Sequence, residues 1–199
     1  LNSIDDVKSS RSTASTASFL HPDSVIAISF YVKQALTGVE ENFVRASRLY
    51  SRPLKTNIFL LNNYNYMASM VTANEKLAAL VPAGVEKNLG EKAKVVIGAL
   101  EEAWQRLANS LKDTQNPPKD VYKMFTNELM EQLNVSGQVV IPDEDLRSAV
   151  RQLLQRTILP VLQAFFNQHQ ALFVSSSSFR SARLDPDTVS EMINKMFEG

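Results

Sequence analysis

Arg180 and Arg183 stand three residues apart in the stretch SSSSFRSARLDPDTVSEMINKMFEG, residues 175 to 199, where four serines run into two arginines and the arginines into the start of a helix. A guanidinium is a planar fork that donates two hydrogen bonds, so it suits a phosphate or a carboxylate. Asp185 and Asp187 follow at once, inside a Debye length of about 8 Å, and offer carboxylate partners. The stretch is either a polar tether with two incidental charges or a surface that touches an anionic partner, and these residues leave both readings open.

Catalytic chemistry has less to build on. The two histidines, His21 and His169, stand alone, with no HExxH pair and no third ligand at metal spacing, so no metal site is expected. The six glycines are scattered and form neither a phosphate-binding loop nor a dinucleotide fingerprint. Glu101-Glu102 and Glu40-Glu41 are neighbours that point apart on a helix and read as solvated faces. The expectation is a protein that is not an enzyme and needs no cofactor.

Other basic residues suit protein contacts. Arg45, Arg48 and Arg52 recur at i, i+3 and i+7, with Lys55 just beyond, which predicts one helical face that is either solvated or docks an acidic partner. Arg147 and Arg151 are four apart as well, but Asp143 and Glu144 precede them and are expected to pair with them locally.

The whole chain bounds these readings. Its 199 residues, 44% of them hydrophobic, can bury roughly 70% of the surface that the unfolded chain exposes. The 21 basic and 21 acidic residues cancel, so no global field would hold the chain on nucleic acid, and contact with an anionic membrane must come from a local patch. Cysteine is absent, which excludes disulfides and suits a reducing compartment. The chain opens Leu1-Asn2-Ser3, with no charged region ahead of a long apolar run, so it reads as a piece of a longer protein without a signal peptide.

Helical periodicity dominates the elements that would position these residues. Leu89, Ala93, Val96, Ile97, Leu100, Trp104, Leu107 and Leu111 step by threes and fours, which predicts a helix of about seven turns from Val85. Leu146, Val150, Leu153, Leu154 and Ile158 define a second, started by Pro142-Asp143. Val189, Met192, Ile193, Met196 and Phe197 define a third, with Asp185 as its N-cap and Pro186 at its first position. Val25 to Tyr50, Leu54 to Val71, Val121 to Leu133, and Val161 to Val174 started or kinked by Pro160 complete about seven helices. Only QVVI at 138 to 141 alternates like a strand, too isolated for a sheet. Residues 1 to 21, with their Ser/Thr-rich run, read as disordered, and 22 to 199 as one helical domain of the all-α class.

In the helix NIFLLNNYNYMASMV, residues 57 to 71, Asn62, Asn63 and Asn65 interrupt an apolar face, and their amides are expected to bond a neighbouring helix or loop. With this segment the chain resembles the seventy-kilodalton subunit family of the exocyst, the complex that tethers secretory vesicles to the plasma membrane. Further matches follow in order: Trp104, VYKMFTNELMEQL, VVIPDEDLRSAVRQLL, Pro160 with Phe165, and DTVSEMINKMFEG. The resemblance covers about Val25 to Gly199, with the Ser/Thr-rich segment a looser match.

The resemblance implies the carboxy-terminal portion of an elongated rod of stacked antiparallel helical hairpins. It implies a cytoplasmic protein, peripheral on the inner face of the plasma membrane, that binds phosphatidylinositol bisphosphate, other exocyst subunits and Rho-family GTPases. Two lysines three apart before the family's last helix carry much of the lipid contact, and here those positions are Arg180 and Arg183. The family's aromatic after each lysine is replaced by Ser181 and Leu184, with Phe179 preceding instead. A basic cluster of Arg180, Arg183, Lys119 and Lys123 at one end of the rod would favour the lipid reading; arginines paired to aspartates would favour a scaffold that binds only proteins.

Overall fold

The computed structural model describes residues 21–175 and 184–199. Among them are eight helices: α1 (Pro22–Ser47), α2 (Pro53–Ala73), α3 (Glu75–Leu80), α4 (Val85–Ser110), α5 (Pro118–Ser136), α6 (Glu144–Gln168), α7 (Gln170–Ser175) and α8 (Pro186–Asn194). The all-α class holds. The expected segment 1 to 21 lies, except for His21, outside the described residues.

The stripe read on α4 is the centre of the core. Leu89, Val96, Leu100, Trp104 and Leu107 are buried, while Glu101 and Glu102 face solvent. One side of α4 packs on α2, which buries Leu54, Ile58, Leu61, Tyr64, Met67 and Val71; the other packs on α6, with α5 alongside. Onto α6 packs α8, and onto α2 pack α1 and α3. Spatial neighbours therefore succeed one another as α1, α2, α4, α6 and α8, the order of stacked hairpins.

Several helix limits follow from local chemistry. Ser47 ends α1, three residues short of the expected Tyr50, because Pro53 opens α2 at its first position and forces Arg52 into extended backbone (φ −108°, ψ 123°). Gly84, with φ 90°, makes the left-handed turn into α4 that side chains with a Cβ adopt only under strain. Asn74 caps the short α3 by accepting from the Leu77 amide, an element that the periodicity does not reveal.

Pro160 neither starts nor ends a helix. It lies inside α6, on the exposed side, where it forfeits one backbone hydrogen bond, a cost of about 3 kcal/mol. Burial of Ile158, Leu162, Phe165 and Phe166 on the opposite face offsets this, at about 1.5–3 kcal/mol for each side chain. Of the two expectations for Pro160, a helix start is corrected: Val161 continues the helix from Glu144 through Gln168, and the short α7 follows.

The start of α6 also shows why the asparagines of α2 are there. Asp143 caps α6 by accepting from the Leu146 amide (2.8 Å) and accepts from Asn65 Nδ2 (3.2 Å), so one carboxylate ties two helices. Asn62 Nδ2 donates to the Val140 carbonyl (2.8 Å), as expected of an amide facing a loop, whereas Asn63 turns back to Phe59 of its own helix. Asp143→Ala should therefore lower unfolding free energy by about 1.5 kcal/mol, cap and bridge together, measured by chemical denaturation.

The QVVI segment forms no sheet but makes one antiparallel bridge, Val140 to Glu198, and the Ile141 amide donates to the Phe197 carbonyl (3.1 Å). Phe197 holds a left-handed φ of 64° with its ring fully buried. No helix among the described residues is long and apolar enough to cross a membrane.

Candidate functional site

The start of α8 is fastened to α5 by one side chain. Tyr122 is 3% exposed, and its hydroxyl both accepts from the Leu184 amide (2.9 Å) and donates to the Leu184 carbonyl (3.2 Å). A hydroxyl has one proton and two lone pairs, so both bonds can be held at once. The ring is fixed by aromatic neighbours: Phe165 stacks on it at 6.0 Å between centroids, while Phe166 and Phe173 meet it edge-on at 5.8 and 5.2 Å. Phe173 stacks in turn on Phe166 at 4.1 Å.

Tyr122 thus joins α5 to α6, to α7 and to the residue that precedes the cap of α8. Asp185 caps α8 as the sequence predicts, accepting from the Thr188 amide (2.8 Å), with Pro186 in the first turn. Lys119 and Lys123, in the first two turns of α5, bracket Tyr122 in the chain. Asp120 is exposed beside them, and Asp187 lies in the first turn of α8. Arg180 and Arg183 lie outside the described residues, one bond upstream of Leu184 in the case of Arg183.

The other basic residues do not share one face. Arg45 is in the last turn of α1 and donates to Asn42; Arg48 caps that helix; Arg52 precedes α2 and pairs with Glu131 of α5. The turn at 48–52 breaks the predicted i, i+3, i+7 row, so that expectation is corrected. Lys55 donates to Gln138. Glu40, expected to be solvated, accepts from Lys92 (2.5 Å) and bridges α1 to α4. Arg147 and Arg151 are structural, but not with Asp143 and Glu144: Arg147 donates to the Ile141 carbonyl, and Arg151 to the Met196 carbonyl and Glu198.

The histidines serve helix ends. His21 accepts from the Asp23 amide at the start of α1, and His169 ends α6 with its ring 4.6 Å from Phe165. Among the described residues no group of acidic or histidine side chains is placed to hold a metal. A groove of about 220 Å³ between α2, α4 and α5, lined by Leu54, Leu100, Trp104, Arg52 and Glu131, is smaller than the roughly 300–1,000 Å³ of ordinary ligand pockets.

Sequence reasoning missed Tyr122. Within VYKMFTNELMEQL it reads as one more apolar core position beside Val121 and Phe125. The signal was the hydroxyl itself, because a buried tyrosine needs a polar partner where a phenylalanine would not.

Helices stacked in hairpin order around an apolar core, with a buried tyrosine between two lysines fastening the start of α8, define an all-α module of stacked hairpins. The family model for the carboxy-terminal part of Exo70, a component of the exocyst complex, matches residues 1–195, and the chain belongs to that family. It is 21% identical over 207 residues to exocyst complex component 7 of Homo sapiens, covering 96% of this chain and 28% of that one. It is 20% identical to exocyst complex component EXO70A1 of Arabidopsis thaliana, covering 89% of this chain and 31% of the relative. Exocyst complex component 7 of Drosophila melanogaster is 18% identical, covering 86% and 27%. The chain thus spans less than a third of the length of these relatives.

Proposed function

We propose that the chain is a non-catalytic module of the exocyst, cytoplasmic and peripheral at the inner face of the plasma membrane, that helps to tether secretory vesicles by binding phosphatidylinositol bisphosphate and other exocyst subunits. Family membership supports the exocyst role. The observation that carries the lipid reading is the double hydrogen bond of Tyr122 to Leu184, which brings the backbone next to Arg183 against the helix that bears Lys119 and Lys123.

Each basic side chain at an anionic surface contributes about 1 kcal/mol, so Arg180 and Arg183 together supply a factor of roughly 30 in affinity. Two arginines do not hold a protein on a membrane alone. Lys119, Lys123 and simultaneously bound subunits add avidity. Arg45 in the last turn of α1 and Arg48 at its C-cap are the candidates for an acidic partner such as another subunit or a Rho-family GTPase, while Arg52 is engaged by Glu131.

Sedimentation with liposomes containing phosphatidylinositol bisphosphate at physiological salt tests this reading. Arg180→Ala with Arg183→Ala should weaken binding about 30-fold with the helical circular dichroism unchanged. Equal sedimentation of the double variant, or none by the unmutated chain, would leave the protein-only scaffold as the function. The carboxylates of Asp120 and Asp187 at the starts of α5 and α8 favour that second reading.

A further inference from the structure

We propose that the turn between α1 and α2 is a protein-docking tip, with Leu49 as its apolar anchor and Arg45 and Arg48 as its charges. Its partner is an acidic surface on another exocyst subunit, in which carboxylates ring an apolar pocket. The inference deepens, and rests on, the proposed binding of other exocyst subunits.

Leu49 is 85% exposed, more than any other large apolar side chain among the described residues, so core packing does not explain it. The turn that carries it is nonetheless ordered. The Leu49 amide donates to the Ala46 carbonyl (3.0 Å) and the Tyr50 amide to the Ser47 carbonyl (3.3 Å). The Tyr50 ring lies 5.5 Å from that of Phe59, the Thr56 hydroxyl donates back to the Ser47 carbonyl (3.3 Å), and Pro53 opens α2. A side chain presented from a turn already bonded in this way gives up little backbone freedom on binding.

Charge identifies the kind of partner. Residues 42–74 contain no aspartate or glutamate, and their only charged side chains are Arg45, Arg48, Arg52 and Lys55. In a chain whose 21 basic and 21 acidic residues cancel, this segregation gathers positive charge at the end of α1, the turn and the start of α2. Arg52 is neutralised by Glu131 and Lys55 donates to Gln138. Among the described residues no carboxylate pairs with Arg45 or Arg48. Two guanidiniums beside an exposed leucine match an apolar pocket with carboxylates at its rim, the apolar centre and polar edge of a protein interface. A membrane matches less well. One leucine inserts fewer methylenes than the single acyl chain that gives only marginal attachment, and Glu131 stands at the edge of the tip.

Binding of this chain to a purified assembly of the other exocyst subunits tests the proposal. Vesicles of phosphatidylcholine and phosphatidylserine with phosphatidylinositol 4,5-bisphosphate form the second arm. Leu49→Ser should weaken subunit binding roughly 10- to 100-fold, the scale of burying one leucine, with thermal midpoint and vesicle binding unchanged. Arg45→Gln with Arg48→Gln should slow association several-fold and flatten its salt dependence. A photoactivatable leucine analogue at position 49 should crosslink to a subunit segment in which aspartate or glutamate flanks apolar residues. Subunit affinity of Leu49→Ser within about twofold of the unmutated chain would overturn the proposal, as would crosslinks confined to basic or neutral segments. Loss of vesicle binding alone in Leu49→Ser would assign the tip to the membrane and overturn it too. Failure of the unmutated chain to bind the assembly would remove the subunit reading and this inference with it, an outcome distinct from any result with Leu49→Ser.

Discussion

Trp104→Ala is expected to lower the unfolding free energy by about 4 kcal/mol. Trp104 is 2% exposed on the buried stripe of α4. With Leu54 of α2, Leu107 of α4 and Val135 of α5 it lines the groove where three helices converge. Truncation to alanine removes the indole's transfer free energy and also leaves a void, because three helices whose other contacts are intact cannot close on it. For a chain of this size each kcal/mol shifts the midpoint by about 2–4 °C, so thermal unfolding should fall by roughly 8–16 °C. Val135 and Tyr122 lie near opposite ends of α5, about 20 Å apart at helical rise. Vesicle binding of Trp104→Ala, measured well below its midpoint, should therefore be unchanged. A stability loss under about 2 kcal/mol would mean that the seam of α2, α4 and α5 repacks around alanine.

The contrast between α4 and the segments around it explains what is legible in the sequence. A helix whose apolar residues recur every three or four positions declares its buried face locally, and α4 matches expectation for that reason, as does α8 from its cap at Asp185 to Ile193. Met196 and Phe197, expected on the same helix, lie past its end at Asn194 and are buried from the turn that follows, Phe197 with a left-handed backbone that no helix continues. Pro160 defeats the same reasoning because local propensity takes no account of the burial of Ile158, Leu162 and Phe165, which is a tertiary quantity. Arg52 falls on the expected face of α1 only in sequence, because the turn before Pro53 does not interrupt the periodicity of charges. The resemblance to the exocyst subunit family points to Arg180 and Arg183, and no pattern in the chain could place Leu184 on Tyr122, a pair 62 positions apart.

Long-range partners of this kind also decide the second large effect. Arg151→Met should cost about 3 kcal/mol, although its neighbours in sequence suggest a local pair with Glu144. The Arg151 side chain is 16% exposed, and Nε (2.9 Å) and Nη2 both donate to the Met196 carbonyl, while Nη2 also donates to Glu198 (2.9 Å). Methionine conserves much of the aliphatic volume but leaves the Met196 carbonyl without its charged donor, and charged hydrogen bonds contribute about 1.5–3 kcal/mol each. Glu198, by comparison, is 58% exposed, so Glu198→Ala should cost less than about 1 kcal/mol. Chemical denaturation of both variants separates the two terms: near-equal losses would show that the ion pair, not the carbonyl, holds the tail. The consequence should be local before it is global. Arg147 holds the Ile141 carbonyl and Asn62 the Val140 carbonyl, so segment 138–141 stays tied to α6 and α2 when Arg151 is lost. The residues after α8 have fewer ties: the Ile141 amide to the Phe197 carbonyl, the bridge at Glu198, and burial of a Phe197 whose left-handed backbone costs about 1 kcal/mol to maintain. Amide exchange in Arg151→Met should therefore rise at residues 195–199 while that of α6 keeps its protection.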